Sequence, residues 1–259
     1  MPDVRAFTDI HSHVICGVDD GAETIQESRA MLALAAECGT AAIVATPHAS
    51  ARYPFRPEVI EQRIAELQGV AGVQIFPGCD FHLQFDNIED AVAHPQKYTI
   101  NHGCYLLVEF SDLGTLHGAE AMLARLLDAG MTPIVTHPER NAYLQNHVDQ
   151  LVEWVTNGCY VQVTAGSFTG SFGRAAKACA ETLLDRGLVH AIASDAHDCQ
   201  KRTPNLRNAY ARLADDHGAD AVRPLFVDNP AAIVSGDPLE YDAAVALARP
   251  ARKWYQFWA

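Results

Sequence analysis

The chain has 259 residues, 49% of them hydrophobic and 20% charged, so it lacks the low hydrophobicity of a disordered chain and allows one barrel-sized core. With 32 acidic against 19 basic residues the net charge is -13, so the surface field repels polyanions and no nucleic-acid partner is expected. The N-terminal MPDVRAFTDIHSH has no secretory apolar region and no later run reaches membrane-spanning length; the expectation is a cytoplasmic protein with no direct membrane insertion.

The first strand candidate, VRAFTDIH, leads into His11 and His13, then the turn GVDDGA with Asp19 and Asp20, then the helical stretch TIQESRAMLALAAECG. AAIVATPH ends on His48 and precedes the helical PEVIEQRIAELQG; VQIFPGCD ends on Asp80; YLLVEFS carries Glu109 and precedes GAEAMLARLLDAG. TPIVTHPE ends on His137, beside Arg140, and precedes HVDQLVEWVTNG; CYVQVTAG and VHAIASDAH follow, the latter ending on Asp195 and His197. The stretch DNPAAIVSGDPLEYD, near 228 to 242, is expected to be a terminal cap.

Strand and helix alternate throughout, so the sheet is parallel, either closed or doubly wound. Polar residues stand at the C-terminal ends of six of the seven strand candidates. A doubly wound sheet gathers such residues only at its switch point, whereas a barrel gathers all strand ends on one face. An α/β, closed or nearly closed seven-stranded barrel is expected. Seven cysteines form no CxxC pair and mostly lie in apolar segments, which fits buried, reduced thiols.

His11 and His13, one residue apart on a strand end, face the same way and can chelate one ion; Asp195 and His197 repeat the arrangement. Glu109 ends an apolar strand, where a carboxylate needs either a cation or an arginine partner. His48 and His137 occupy equivalent strand ends. The donors are imidazole and carboxylate without thiolate, which suits Mn²⁺, Fe²⁺ or Zn²⁺, and they exceed the needs of one ion, so two to three divalent ions are expected. Such ions activate a bridging hydroxide, and Arg140 can fork onto a phosphate, which together point to phosphoester hydrolysis.

In order and spacing, DIHSHVICGVDDGA, ATPHA, VEFS, THPERN, QVTAGSFTGSFG, IASDAHD and FVDNPAAIV resemble the manganese-dependent bacterial protein-tyrosine phosphatases of the PHP (polymerase and histidinol phosphatase) superfamily, the type that accompanies capsule or exopolysaccharide genes. The resemblance runs from about residue 7 to about 236 and implies a distorted (β/α)7 barrel with a trinuclear site. His11, His13 and Asp195 would hold one ion, Glu109 and His137 a second, and Asp20, His48 and His197 a third, with Asp80 bridging the first two. Arg140 would bind the phosphoryl group, assisted by Arg202. Arg140, Asp80 and Glu109 are thus the candidate catalytic residues.

Two features lie beside that pattern. The family's G-x-E reads here as Gly78-Cys79-Asp80, one methylene shorter, and His82 is a candidate to compensate. Arg52, with Tyr53 and Phe55, is placed to line the mouth of the site and contact substrate. The implied substrate is a phosphotyrosine protein, a membrane-associated tyrosine kinase of polysaccharide export. Competing readings are a small-molecule phosphomonoesterase acting on an ester such as histidinol phosphate, a metal-binding regulatory protein with weakened catalysis, and a nuclease. One domain over 1–259 is expected, with about 237–259 as an extension whose KWYQFWA packs onto the barrel or a second subunit; the oligomeric state stays open.

Overall fold

The structure is a computed structural model that describes residues 6–110 and 118–239; the aromatic group from Trp254 to Trp258 and the last residues of the expected cap lie outside them. Nine parallel strands are present among these residues: β1 (Phe7–Ser12), β2 (Thr40–Ala45), β3 (His48–Ala49), β4 (Gln74–Pro77), β5 (Asp80–His82), β6 (Tyr105–Glu109), β7 (Thr132–Thr136), β8 (Tyr160–Thr164) and β9 (Ala191–Ala193). Helices fill the connections: α1 (Ile25–Glu37), α2 (Pro57–Leu67), α3 (Phe85–Ala93), α4 (Ala119–Asp128), α5 (Val148–Thr156), α6 (Ala165–Thr169), α7 (Gly173–Asp185), α8 (Arg207–His217), α9 (Ala219–Arg223) and α10 (Asn229–Ser235).

Seven expected strands become nine because two are interrupted. Pro47 has no N–H to continue a ladder and separates β2 from β3. Gly78 separates β4 from β5 at a close approach, where an added Cβ would lie 2.6 Å from Val44 Cγ1. The result is two parallel sheets, β1-β2-β4 and β3-β5-β6-β7-β8-β9. They meet at both margins. β2 and β4 run on into β3 and β5, and Asp80 N donates to Pro47 O (3.1 Å). On the other side Asp195 N donates to His11 O and His13 N to Ala196 O, both at 2.8 Å. The chain therefore forms a distorted (β/α)7 barrel-like ring made of two ladders.

Period-two alternation sorts the strand residues. Leu106, Val108, Val135, Val161, Val163 and Ile192 pack outward against Leu123, Leu126, Leu151, Trp154 and Leu183 of α4, α5 and α7. Tyr105, Leu107, Ile134, Ala191 and Ala193 form an inner cluster with Ile10 and Val44. Burying each large apolar side chain contributes on the order of 2 kcal/mol. On β6 the inward set continues from Leu107 to Glu109, which carries the carboxylate to the strands' C-terminal end.

The opposite end is closed by the expected cap. Ile233 and Val234 of α10 join the inner cluster, Asn101 Nδ2 donates to Val234 O (3.0 Å) and Tyr105 OH to Asp237 O (2.7 Å). Asn229 Nδ2 donates to His190 O (2.8 Å), while His190 Nδ1 accepts from Val161 N (3.0 Å). All seven cysteines are free, and five of them are buried.

Burial holds His190 neutral, its pKa lowered to about 3. The unfolded chain takes up this proton below about pH 6.5, so the folded state loses stability from there downward until the folded pKa is reached. At pH 5 this one group costs up to about 2 kcal/mol. Chemical denaturation of His190→Gln should show a shallower loss of stability between pH 7 and 5 than the parent.

Candidate metal centre

Past β1 the chain turns back on itself: Ala22 N donates to His13 O (3.1 Å) and Gly17 N to Ala22 O (2.9 Å). Gly21 sits so close that a Cβ there would lie 2.1 Å from the His13 carbonyl oxygen, so the turn admits only glycine. The turn fixes Asp19. Its Oδ1 accepts from Gly21 N (3.0 Å), and its Oδ2 lies 2.7 Å from His13 Nδ1 and 3.1 Å from His48 N. Asp19 thereby aims His13 Nε2 inward. Burial opposes charge on His13, but the Asp19 carboxylate outweighs it and raises the ring's pKa to about 9.

All nine residues expected as ligands come together at the strands' C-terminal end. His48 Nδ1 lies 3.0 Å from Asp80 Oδ2 and 3.3 Å from Glu109 Oε2, while its Nε2 lies 3.3 Å from Asp20 Oδ1. His11 Nε2 lies 3.4 Å from Asp195 Oδ1 and 3.7 Å from Asp80 Oδ2; His137 Nε2 lies 3.6 Å from Glu109 Oε1. Ligand atoms within 4.8 Å of one another fall into overlapping groups: His13-Asp20-His48-His197, His11-His137-Asp195, His11-His13-Asp80 and Asp80-Glu109-His137. His13 thus stands with Asp20 as well as with His11, and Asp80 belongs to two groups. A further group joins His48 and Glu109 to His82, whose Nε2 contacts Glu109 Oε2.

Asp80 is fully buried, yet among the described residues its oxygens meet only the imidazoles of His48 and His11, and Glu109 Oε2 and His48 Nδ1, likewise buried, meet only members of the same cluster and no outside hydrogen-bond partner. Leaving an ionised carboxylate in this state costs several kcal/mol, which a bound cation offsets. The donor set, nitrogen and carboxylate oxygen without thiolate, suits Mn²⁺, Fe²⁺ or Zn²⁺. The residues present fit divalent ions.

Arginines complete the rim. Oδ2 of Asp195 is contacted by Arg140 Nη1 and Arg202 Nη2, while its Oδ1 faces His11 and His13. Burial alone would raise the Asp195 pKa; the imidazoles and both guanidinium groups instead hold it well below the ordinary range. Both His137 (φ 33) and Asp195 (φ 51) have left-handed backbone, unusual for residues with a Cβ. Their amides are anchored, His137 N to Gln162 O (2.9 Å) and Asp195 N to His11 O. The Arg140 guanidinium lies 4.4 Å and that of Arg202 6.0 Å from the centre of the Phe172 ring. Arg52 lies over Tyr53 (4.9 Å), and Tyr53 stacks on His48 (5.8 Å between centroids), so Arg52 stands one aromatic ring away from the ligands.

A profile of the capsular polysaccharide synthesis CpsB/CapC family matches residues 7–235. The chain belongs to the CpsB/CapC family. It is 32% identical over 237 residues to the tyrosine-protein phosphatase CpsB of Streptococcus pneumoniae, covering 87% of this chain and 97% of that protein. To the tyrosine-protein phosphatase YwqE of Bacillus subtilis it is 29% identical over 218 residues, covering 82% and 85%. A solved structure from the pair YwqE of Bacillus subtilis and CpsB of Streptococcus pneumoniae, described as metal-dependent tyrosine phosphatases, superposes with a TM-score of 0.82 at 28% identity, covering 90% of this chain and 96% of that one. The lactonase Lmo2620 of Listeria monocytogenes, at 13% identity and a TM-score of 0.57, shares the fold alone.

Several residues that support the CpsB/CapC site were missed in the sequence. Gln162 Oε1 lies 3.0 Å from His11 Nδ1, and Asp9 Oδ1 accepts from Ser194 N (2.9 Å). Glu139, fully buried, accepts from Thr164 N (3.0 Å) and Ser167 Oγ (2.7 Å), tying the turn that carries Arg140 to the start of α6. Burial raises its pKa to about 7. Asp9 and Gln162 left the same signal as Glu109, a polar residue inside an apolar strand; Phe172 stood only as part of the QVTAGSFTGSFG stretch, with nothing there to mark its role. Gly21→Ala should displace the His13 carbonyl and lower the bound metal by at least one ion per chain, measured by elemental analysis of the purified protein.

Proposed function

We propose that the chain is a metal-dependent protein-tyrosine phosphatase of capsule or exopolysaccharide synthesis, working in the cytoplasm on a membrane-associated tyrosine kinase. The observation that carries this reading is the convergence of nine imidazole and carboxylate ligands with two arginines on one rim. The phosphatase names and metal dependence of the relatives above support it. No helix among the described residues is long and apolar enough to cross a membrane.

His11, His13, Asp20, His48, Asp80, Glu109, His137, Asp195 and His197 would hold two to three ions, most readily Mn²⁺, with Asp80 shared between two. When bound, such ions supply an activated water and neutralise phosphoryl charge. The chain's own residues bind and orient the ester. Arg140 and Arg202 offer planar donors to its oxygens and, already gathered at Asp195, are held close to the ligands. Tyr53, stacked on His48 and overlain by Arg52, holds that guanidinium at the mouth, where it can contact the substrate. The leaving group is a phenolate, whose conjugate acid has a pKa of about 10, so no strong general acid is needed.

Purified protein with Mn²⁺ should hydrolyse phosphotyrosyl peptides and aryl phosphates, and a chelator should abolish the activity; faster turnover of alkyl than aryl phosphates would overturn the reading. His13→Ala and Asp195→Ala should each lower kcat/KM by about 10³ or more, whereas His94→Ala, on the exposed end of α3, should match the parent. Phe172→Leu should raise the inhibition constant of inorganic phosphate up to about tenfold while Phe172→Tyr restores it, because the aromatic face holds both guanidinium groups.

A further inference from the structure

Beside Phe172 lies a pocket of about 110 Å³ whose lining includes Thr169, Ser171, Lys201, Arg202, Asn205 and Asn208. Its walls hold two cations, several hydroxyls and two amides, and no carboxylate, in a chain with a net charge of -13. Arg202 is the wall shared with the metal centre: its Nη2 contacts Asp195, and its Nε is buried with no acceptor among the described residues. The amino end of α8, eleven residues long, opens at the same place, with Asn205 Oδ1 accepting from Asn208 N (3.2 Å). Donors, positive charge and a helix N-terminus all favour an oxyanion here.

We propose that this pocket is an anion subsite that takes the carboxylate of an acidic residue flanking the phosphotyrosine in the substrate polypeptide. The proposal rests on the phosphatase reading. One guanidinium separates the pocket from the rim where the phosphoryl group binds, so a group on the same polypeptide, a residue or two away, reaches it. An incoming carboxylate meets donors on every charged wall and no carboxylate among the lining residues; Asp195 lies behind the Arg202 guanidinium. The subsite gives an acidic protein a local means of holding an acidic substrate segment that its overall field repels.

The test uses the full chain loaded with Mn²⁺ and three phosphotyrosyl peptides that differ only in the flanking residues, glutamate, glutamine or lysine, together with 4-nitrophenyl phosphate. KM for the glutamate peptide should be about fivefold below that for the glutamine peptide with kcat unchanged, and the lysine peptide should be weakest. Lys201→Ala combined with Asn208→Ala should remove most of that preference and leave kcat/KM for 4-nitrophenyl phosphate unchanged, with unfolding temperature measured alongside. Equal KM for the glutamate and glutamine peptides, or a preference that survives in the double variant, overturns the subsite. Absence of turnover on every aryl phosphate would instead sink the phosphatase reading, and equilibrium binding of the same peptides would then decide the subsite by the same criteria.

Discussion

The constraint on which the architecture depends is the gathering of carboxylates and imidazoles at one end of a parallel sheet without enough hydrogen bonds to satisfy them. Asp80 is the sharpest case, fully buried, with Oδ2 facing only the imidazoles of His48 and His11 and Oδ1 without a hydrogen-bond donor among the described residues. Such a site is tolerable only if the rest of the fold is stable enough to hold it, and the apolar inner cluster beneath, together with the helices outside, provides that support. Stability and chemistry are spatially separated: α10 closes one end of the ring with aliphatic side chains, while the other end is left to charge.

Within the charged end, the labour is divided by neighbours and not by residue type. Asp19 and Asp20 are adjacent, yet Asp19 turns to His13 and the backbone of His48 while Asp20 turns to the side chains of His48 and His197. Asp195 faces imidazoles with one oxygen and guanidinium groups with the other, so a single carboxylate sets the spacing between the candidate ligands and the two arginine arms. Phe172 and the buried Glu139 hold those arms from behind.

Much of this was legible in the sequence. Strand ends carrying His, Asp or Glu, followed by helical periodicity, announced the ring and the place of every expected ligand but Asp20, which lies in the turn after β1 and came from the family resemblance, because a polar residue closing an apolar run has few reasons to be there. The interruptions at Pro47 and Gly78 turned seven strands into nine, and they were harder to see: Pro47 is plain in the letters, but the need for glycine at 78 arises from Val44, a contact between passes far apart in sequence. Which ligands share a group depended on side-chain direction, so His13 beside Asp20 was not deducible from spacing. Phe172 stood inside the QVTAGSFTGSFG stretch, but its role was illegible because it comes from two arginines on different loops. Position 82 raised a question in the sequence that the geometry sharpens, since its ring contacts Glu109 directly.

The interruption of the ring into two ladders has a mechanical consequence. His11 stands on β1 and His13 directly follows it, whereas His48, Asp80 and Glu109 stand on strands of the other sheet, and Asp195 and His197 follow the last strand of that second sheet. Ions held among these residues would therefore act as rivets across a seam where backbone pairing is sparse. The free energy of metal binding would then be spent partly on adhesion between two half-barrels, making the ions structural fasteners as well as reagents.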